Sequence, residues 1–354
     1  MKLAIVGWRP WTVAQRYKSL IVNAKRLGHQ VVGIALEHFG DRSMTTSLFR
    51  DLGVPVGSLN QFRPDAVFGE CFWNAEENAA RVWARRARKQ YLALDHSKEF
   101  LPNLACYNNN KPPNVTLAVS EINAQHLNKT FGIQAIPVGH PNFDVDHKID
   151  AAKVREELGV DGQPMMILFL GSIYQGSAFE YERERLFSLL ALAQEKDWKI
   201  FMHLHPEEQG RKSRHLDRGC PRHSFLKELQ DRGAMFASYR PGNYNDIMFN
   251  PCGPMALMRC ADLVGGTYVG TGPIFQAYAA AKKYFWLGPG NQPYSGGSLD
   301  RHPNLVKVTP DYRSIIEAIE GDTGSFERCP AYVKRWFYKL DGKCWRRILD
   351  AVCA

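Results

Sequence analysis

The sequence predicts an α/β fold: two Rossmann-like doubly wound domains facing a cleft, with helices at the C-terminus. Three observations carry this. Short apolar runs recur along the chain without clean period-two alternation, as suits parallel strands buried on both faces. Helical stripes separate the runs, which implies right-handed βαβ units. The alternation then resets near residues 144–164. One unit therefore covers about 1–143 and a second about 144–330, with a helical segment over 331–354. A chain of 354 residues also suits two domains at ~100–200 residues each.

In chain order, the first domain's strand runs are Lys2–Val6, Gln30–Leu36, Asp65–Phe68, Tyr91–Leu94, Val115–Val119 and Ala135–Val138. Between the first two, Val13, Tyr17, Leu20, Ile21, Ala24 and Leu27 form one helical stripe that Gly28 ends. Ala124, Leu127 and Phe131 form a shorter stripe ending at Gly132. The junction comprises polar Asp144–Asp150, a short charged helix Ala151–Leu158 and a turn over Gly159–Pro164. The second domain's runs are Met165–Leu170, Lys199–Leu204, Ala234–Ala237, Asp262–Val264, Tyr284–Leu287 and Leu305–Val308, with a stripe at Leu186, Leu189, Leu190 and Ala193. From Ala331 the chain reads as one or two helices. Ligands of such sheets bind outside the carboxyl ends of the strands.

Composition narrows the function. Hydrophobic residues at 45% and charged residues at 23% exclude wholesale disorder, collagen and coiled coil. No run approaches the ~18 apolar residues of a membrane helix, so no membrane partner is expected. Met1–Gly7 reads as a strand that Arg9 and Pro10 end too soon for a signal-peptide core. The eight cysteines are scattered and read as reduced thiols of a cytoplasmic protein, in the host cytoplasm if the source is viral. A net charge of +9 favours anionic partners such as nucleotides, phosphates or nucleic acid.

Four places carry candidate chemistry. Gly171-Ser172 directly follows a strand, where glycine lets backbone approach a phosphate, and Arg183 and Arg185 at the start of the next helix could pair with a diphosphate. Gly265-Gly266-Thr267 to Gly270-Thr271-Gly272-Pro273 joins a strand to a helix over about Ile274–Lys282, with Pro273 suited to its first position. It is not a Walker A loop or a G-x-G-x-x-G turn, but its N–H and hydroxyl donors suit phosphate. His203 and His205 share a strand face; with no third ligand nearby, one histidine on a phosphate or sugar is favoured over a metal. Asp95-His96-Ser97 ends a strand and could deprotonate a hydroxyl, with Glu70 as a rival base. Each also has a structural reading as a turn, a cap or a solvated face. The basic segments Arg81, Arg85, Arg86, Arg88, Lys89; Arg211–Arg222; and Lys334–Arg347 mix cations with aromatics in a way that suits nucleic-acid backbone, although a solvated helix face also accounts for them.

The chain resembles two-Rossmann glycosyltransferases of the GT-B type over most of its length. Pro137-Val138-Gly139-His140-Pro141-Asn142 resembles the interdomain crossing of the related non-hydrolysing UDP-N-acetylglucosamine 2-epimerases. Gly270-Thr271-Gly272-Pro273, with Gln276 and Ala277 behind it, is similar to the donor-diphosphate loop and helix of that superfamily, with Gln276 near the place of the usual acidic residue. Gly171-Ser172 with Arg183 and Arg185, and Asp95-His96-Ser97, resemble donor and acceptor elements of phage DNA glycosyltransferases.

The resemblance implies glycosyl transfer from a nucleotide sugar, UDP-linked or another, as co-substrate with no obligatory metal. Gly171, Ser172, Arg183, Arg185, His205, Gly270, Thr271, Gly272 and Gln276 would hold the donor, and Asp95, His96 or Glu70 would activate the acceptor hydroxyl. The expected acceptor is a hydroxymethylated pyrimidine in phage double-stranded DNA. Arg81, Arg85, Arg86, Arg88 and Lys89 would then flank it together with Lys334–Arg347, and Phe72 and Trp73 would act as a wedge. A sugar-nucleotide 2-epimerase, a polyol-phosphate transferase and a non-catalytic DNA-binding protein remain alternatives. Sugar, base, stereochemistry and oligomeric state stay open.

Overall fold

A computed structural model describes residues 1–7, 12–36, 42–70, 75–94, 113–143, 149–160, 162–170, 177–204, 220–238, 242–244, 246–267, 271–288, 302–321 and 326–354. The chain forms two compact units. The first is Met1–Val145 with Cys329–Ala354, and the second is Asp146–Arg328. The closing residues thus belong to the first unit.

The first unit begins with β1 (Lys2–Gly7). A π-helical turn over Thr12–Tyr17 then runs into α1 (Lys18–Arg26). There follow β2 (Gln30–Ala35), α2 (Arg42–Asp51), α3 (Leu59–Phe62), β3 (Ala66–Glu70), α4 (Ala75–Arg86) and β4 (Gln90–Leu94). β5 (Val115–Ala118), α5 (Glu121–Phe131) and β6 (Ala135–Pro137) complete the sheet. Its six strands run parallel in the order β2-β1-β3-β4-β5-β6.

Strand alternation divides this core between two faces. Leu3 and Ile5 pack with the stripe of α1 and with Phe49 of α2, while Ala4 and Val6 pack with Ala80 and Ala84 of α4 and Leu127 of α5. Each fully buried Leu, Ile, Val or Phe contributes ~1.5–3 kcal/mol. The α1 stripe is buried as its spacing requires, except Leu27, which lies past the helix end and is 45% exposed. Ser120 caps α5, and Gly132 closes it at φ 62°, a left-handed position glycine occupies without strain. Near the C-terminus, helix α12 (Pro330–Phe337) packs on α5, and α13 (Cys344–Cys353) packs on α1.

The second unit holds α6 (Ala151–Glu157), β7 (Met165–Phe169), α7 (Ser177–Glu195), β8 (Lys199–His203), α8 (Pro221–Asp231) and β9 (Met235–Ser238). Then come β10 (Gly242–Tyr244), β11 (Ile247–Pro251), α9 (Pro254–Cys260), β12 (Leu263–Gly266), α10 (Thr271–Ala279), β13 (Tyr284–Trp286), β14 (Leu305–Lys307) and α11 (Arg313–Glu320). The strand order is β10-β11-β9-β8-β7-β12-β13-β14, parallel throughout except for β10. The hairpin β10–β11 adds an edge beyond the expected strands; its apolar run, Ile247-Met248-Phe249, is short and is bounded by polar Asn245-Asp246 and Asn250. Helix α10 begins at Thr271, earlier than the expected Ile274, so Pro273 takes its third position. Proline is tolerated there because the first four N–H groups of a helix have no intrahelical acceptor. Among the described residues no helix is long and apolar enough to cross a membrane.

Candidate functional site

The sheet of the second unit runs outward from β7 through β8 and β9, then returns to β12 on the other side of β7. The order therefore reverses between β7 and β12, and a parallel α/β sheet binds its ligands outside the carboxyl ends at such a reversal. These two strands are in register there, with Gly266 opposite Phe169, and Thr267 N–H donates to the Phe169 carbonyl at 3.1 Å. Both glycine-bearing segments singled out from the sequence leave from this point, one after β7 and one after β12. Gly171, Ser172, Gly270 and His205 themselves lie outside the described residues.

The described wall of this edge is closely built. A Cβ on Gly266 would meet the Tyr284 hydroxyl at 2.3 Å and the Phe169 carbonyl at 2.4 Å, and one on Gly265 would meet the Phe285 carbonyl at 2.7 Å. Both glycines are therefore demanded by strand packing, whatever their neighbours bind. His203, at the end of β8, is buried with its ring 5.5 Å from that of Phe169. Gly272 is the second residue of α10, and Gln276 lies on the same helix, 7% exposed. Helix α10 is held from behind by Asn304, whose Nδ2 donates to the Ile274 carbonyl at 3.4 Å and to that of Lys282, past the helix end, at 2.9 Å, and by His302, whose ring meets Phe275 and Tyr278 edge-on. Burial pushes the His302 imidazole down to about 3.

The residue that sequence reasoning missed is Glu182. It is 1% exposed, and its Oε1 accepts a hydrogen bond from the hydroxyl of buried Thr267. A carboxylate taken out of water is costly unless hydrogen-bonded. This one ties α7, which follows the first glycine-bearing segment, to the end of β12, which precedes the second. In sequence it hides in the charged run Glu180–Arg185. Its helical phase relative to Leu186, Leu189, Leu190 and Ala193 was the available signal.

Arg183 and Arg185 have partners within the second unit. They sit in the second and third turns of α7, past its N-terminus. Arg183 bonds Glu228 at 3.1 Å, and Arg185 donates to the carbonyls of Val308 and Thr309 at 2.9 and 3.2 Å. Tyr312 in turn donates to the Arg185 carbonyl at 2.7 Å. These arginines fasten α7 to α8 and to the β14–α11 turn. Both guanidinium groups thus have protein acceptors, and the Arg183 side chain is still 40% exposed.

In the first unit the order reverses between β1 and β3. Glu70 closes β3 at this point. It is fully buried and paired with Arg16 of the π-helical turn at 2.7 Å. A carboxylate so engaged is held in place by a cation. Asp95 and His96 follow β4 and lie outside the described residues, as do Phe72 and Trp73.

The basic run on α4 also departs from expectation. Helix α4 runs back from the carboxyl end of β3 to the amino end of β4, so Arg85, Arg86, Arg88 and Lys89 arrive at the amino edge. Lys89 there approaches Asp65 at 3.9 Å, just before β3. The length of a five-residue strand, roughly 15 Å, separates them from Glu70. Arg81 is only 8% exposed, and Trp83 is docked on Asn60 at 2.6 Å. Lys334 instead pairs with Glu121 at the start of α5, on the carboxyl side. Helix α13 lies on the opposite face of the sheet from α4. Arg85–Lys89 and Lys334 therefore lie at opposite ends of the sheet.

Among the described residues no group of three or more His, Cys, Asp or Glu is arranged to hold a metal. No family model matches the chain, and no curated protein matches it in sequence. Solved structures do match along the whole length. The UDP-GlcNAc 2-epimerase from Neisseria meningitidis bound to UDP-GlcNAc is similar at 14% identity and a TM-score of 0.60, covering 100% of both chains. Anabaena HepE in complex with UDP and glucose is similar at 14% identity and TM-score 0.55, covering 100% of this chain and 99% of its own. A glycosyltransferase from Rickettsia africae is similar at 11% identity and TM-score 0.51, covering 99% and 93%. The fold is thus the two-unit Rossmann-like fold of GT-B glycosyltransferases and UDP-GlcNAc 2-epimerases.

Proposed function

We propose that the chain is a nucleotide-sugar enzyme, and within that class a glycosyltransferase. The observation that carries this is the strand reversal between β7 and β12, where both glycine-bearing segments and the N-terminal turn of α10 leave one sheet edge. Free N–H groups at a helix start, next to glycine backbone, suit the diphosphate of a nucleotide sugar. Similar folds solved with UDP-GlcNAc, or with UDP and glucose, support the same ligand class.

In this reading Gly171, Ser172, His205, Gly270, Thr271 and Gly272 contact the donor and stabilise charge on the departing diphosphate. Gln276 lies on the helix behind them. The anomeric carbon gains oxocarbenium character as the sugar–phosphate bond breaks. The acceptor hydroxyl loses its proton to Asp95 or His96, since Glu70 is held by Arg16. The acceptor is a hydroxyl compound. The amino-edge position of the α4 cations favours one other than duplex DNA, and hydroxymethylated DNA enters as an arm of the test.

A second reading, sugar-nucleotide 2-epimerisation, is favoured by the higher TM-score of 0.60 to the Neisseria epimerase than the 0.51 to the Rickettsia transferase. Incubation with UDP-GlcNAc alone separates the two. A transferase returns the sugar nucleotide unchanged apart from slow hydrolysis, and transfers sugar once an acceptor is supplied from a panel that includes hydroxymethylated DNA. Accumulation of the 2-epimer would replace the transferase reading with the epimerase one.

A further inference from the structure

The net positive charge of the chain is confined to one unit. The first unit holds 23 Lys and Arg against 13 Asp and Glu, and the second 22 against 23. Within the first unit, much of the excess gathers where the strands begin. Lys25 and Arg26 end α1, Arg63 precedes β3, and Arg85, Arg86 and Arg88 close α4; all six are exposed. The edge is continuous. Lys89 approaches Asp65, Asp65 accepts from the Lys2 N–H at 2.7 Å, and the Met1 carbonyl accepts from the Gln30 N–H at 2.9 Å. Lys25 Nζ reaches the carbonyls of Leu52 and Gly53. The acids of this edge are few: Asp51 and Asp65, with Asp350 engaged by Arg346 at 3.0 Å.

Cations at helix C-termini also complement the helix dipole, and that accounts for five of the six, at the ends of α1 and α4. It does not explain the apolar groups beside them. The exposed large hydrophobic residues among those described are Met1, Val22, Leu27 and Met248. Met1 and Leu27, at 39% and 45% exposure, lie on this same edge. Strand starts and helix ends of a parallel sheet form a broad face in place of a groove. A broad basic face with protruding apolar side chains is matched by the interface of an anionic bilayer: phosphates meet the cations and the acyl boundary takes the apolar groups. Nucleic acid would match the cations and leave Met1 and Leu27 without a use.

We propose that the amino edge of the first unit docks on an anionic lipid bilayer. Such docking needs no spanning helix. It departs from the expectation of no membrane partner, which rested on the length of the apolar runs. It stands independently of the proposed donor site.

The test is co-sedimentation of the full chain with vesicles of phosphatidylcholine alone and of phosphatidylcholine mixed equally with phosphatidylglycerol, alongside duplex DNA in solution. Binding is expected only to the mixed vesicles and should fall away toward 1 M salt, where the screening length is ~3 Å. Joint charge reversal R85E/R86E/R88E should weaken vesicle binding about a hundredfold or more, given the usual contribution of each cation near an anionic surface. Leu27→Ser should weaken it about tenfold, and leave any DNA binding unchanged. All these side chains are exposed, and circular dichroism verifies that the variants are folded. Equal binding to both vesicle types, no binding to the mixed vesicles at low salt, or binding to DNA alone would overturn the proposal.

Discussion

Replacing Thr267 by valine probes the junction between the two glycine-bearing segments. Valine keeps the shape of threonine and removes only the hydroxyl. Thr267 is 3% exposed and Glu182 1% exposed, so water cannot take the hydroxyl's place at Oε1. A hydrogen bond to a charged group is worth about 1.5–3 kcal/mol, and leaving a buried acceptor short of a donor costs a similar amount. Thr267→Val should therefore lower stability by about 2 kcal/mol. Thr267→Ser keeps the donor and loses one methyl, which costs about 0.8 kcal/mol. The assay is urea unfolding followed by tryptophan fluorescence, read as the shift in midpoint. Serine must be clearly better tolerated than valine. A valine variant as stable as the parent, or a serine variant that is worse, would refute the claim that this hydrogen bond holds β12 to α7.

Further perturbations follow from the same geometry. Gly266→Ala forces a methyl against the Phe169 carbonyl and should cost about 1–3 kcal/mol by overpacking, seen as a lower melting temperature. Glu70→Gln removes the negative charge that Arg16 donates to and should cost roughly 1–3 kcal/mol in the same unfolding assay. His302 is held neutral when folded, with its pKa lowered from 6.5 to about 3. The unfolded chain takes up a proton there that the folded chain refuses. This contribution is thus complete above pH 6.5 and is lost as pH falls toward 3, at up to about 1.4 kcal/mol per pH unit. Urea midpoints from pH 7 to pH 4 should show that slope, and His302→Gln should flatten it.

The sheets were legible in the sequence because their strands are buried on both faces. Each apolar run, from Lys2–Val6 to Leu305–Val308, overlaps an observed strand. The hairpin β10–β11 was not. It lies at a sheet edge, with Asp246 at φ 72° between its strands, and the run Ile247-Met248-Phe249 is too short, among polar neighbours, to stand out. Sequence also located both glycine-bearing segments, because a strand followed by glycine and then a helix is a local pattern. What it could not supply were side-chain partners distant along the chain. Arg185 finds its acceptors 123 and 124 residues away, and Glu182 finds Thr267 85 residues away. The amino-edge position of Arg85–Lys89 follows from the parallel register of β3 and β4, which a list of charges does not contain.

The claim that β7 and β12 frame a nucleotide-sugar site is tested most directly by hydrogen–deuterium exchange with and without saturating UDP-GlcNAc. Slowed exchange is expected in peptides spanning Met165–Glu182 and Leu263–Ala279. Protection confined to residues 1–143, or no protection anywhere with UDP-, GDP-, CDP- or dTDP-sugars, would contradict it.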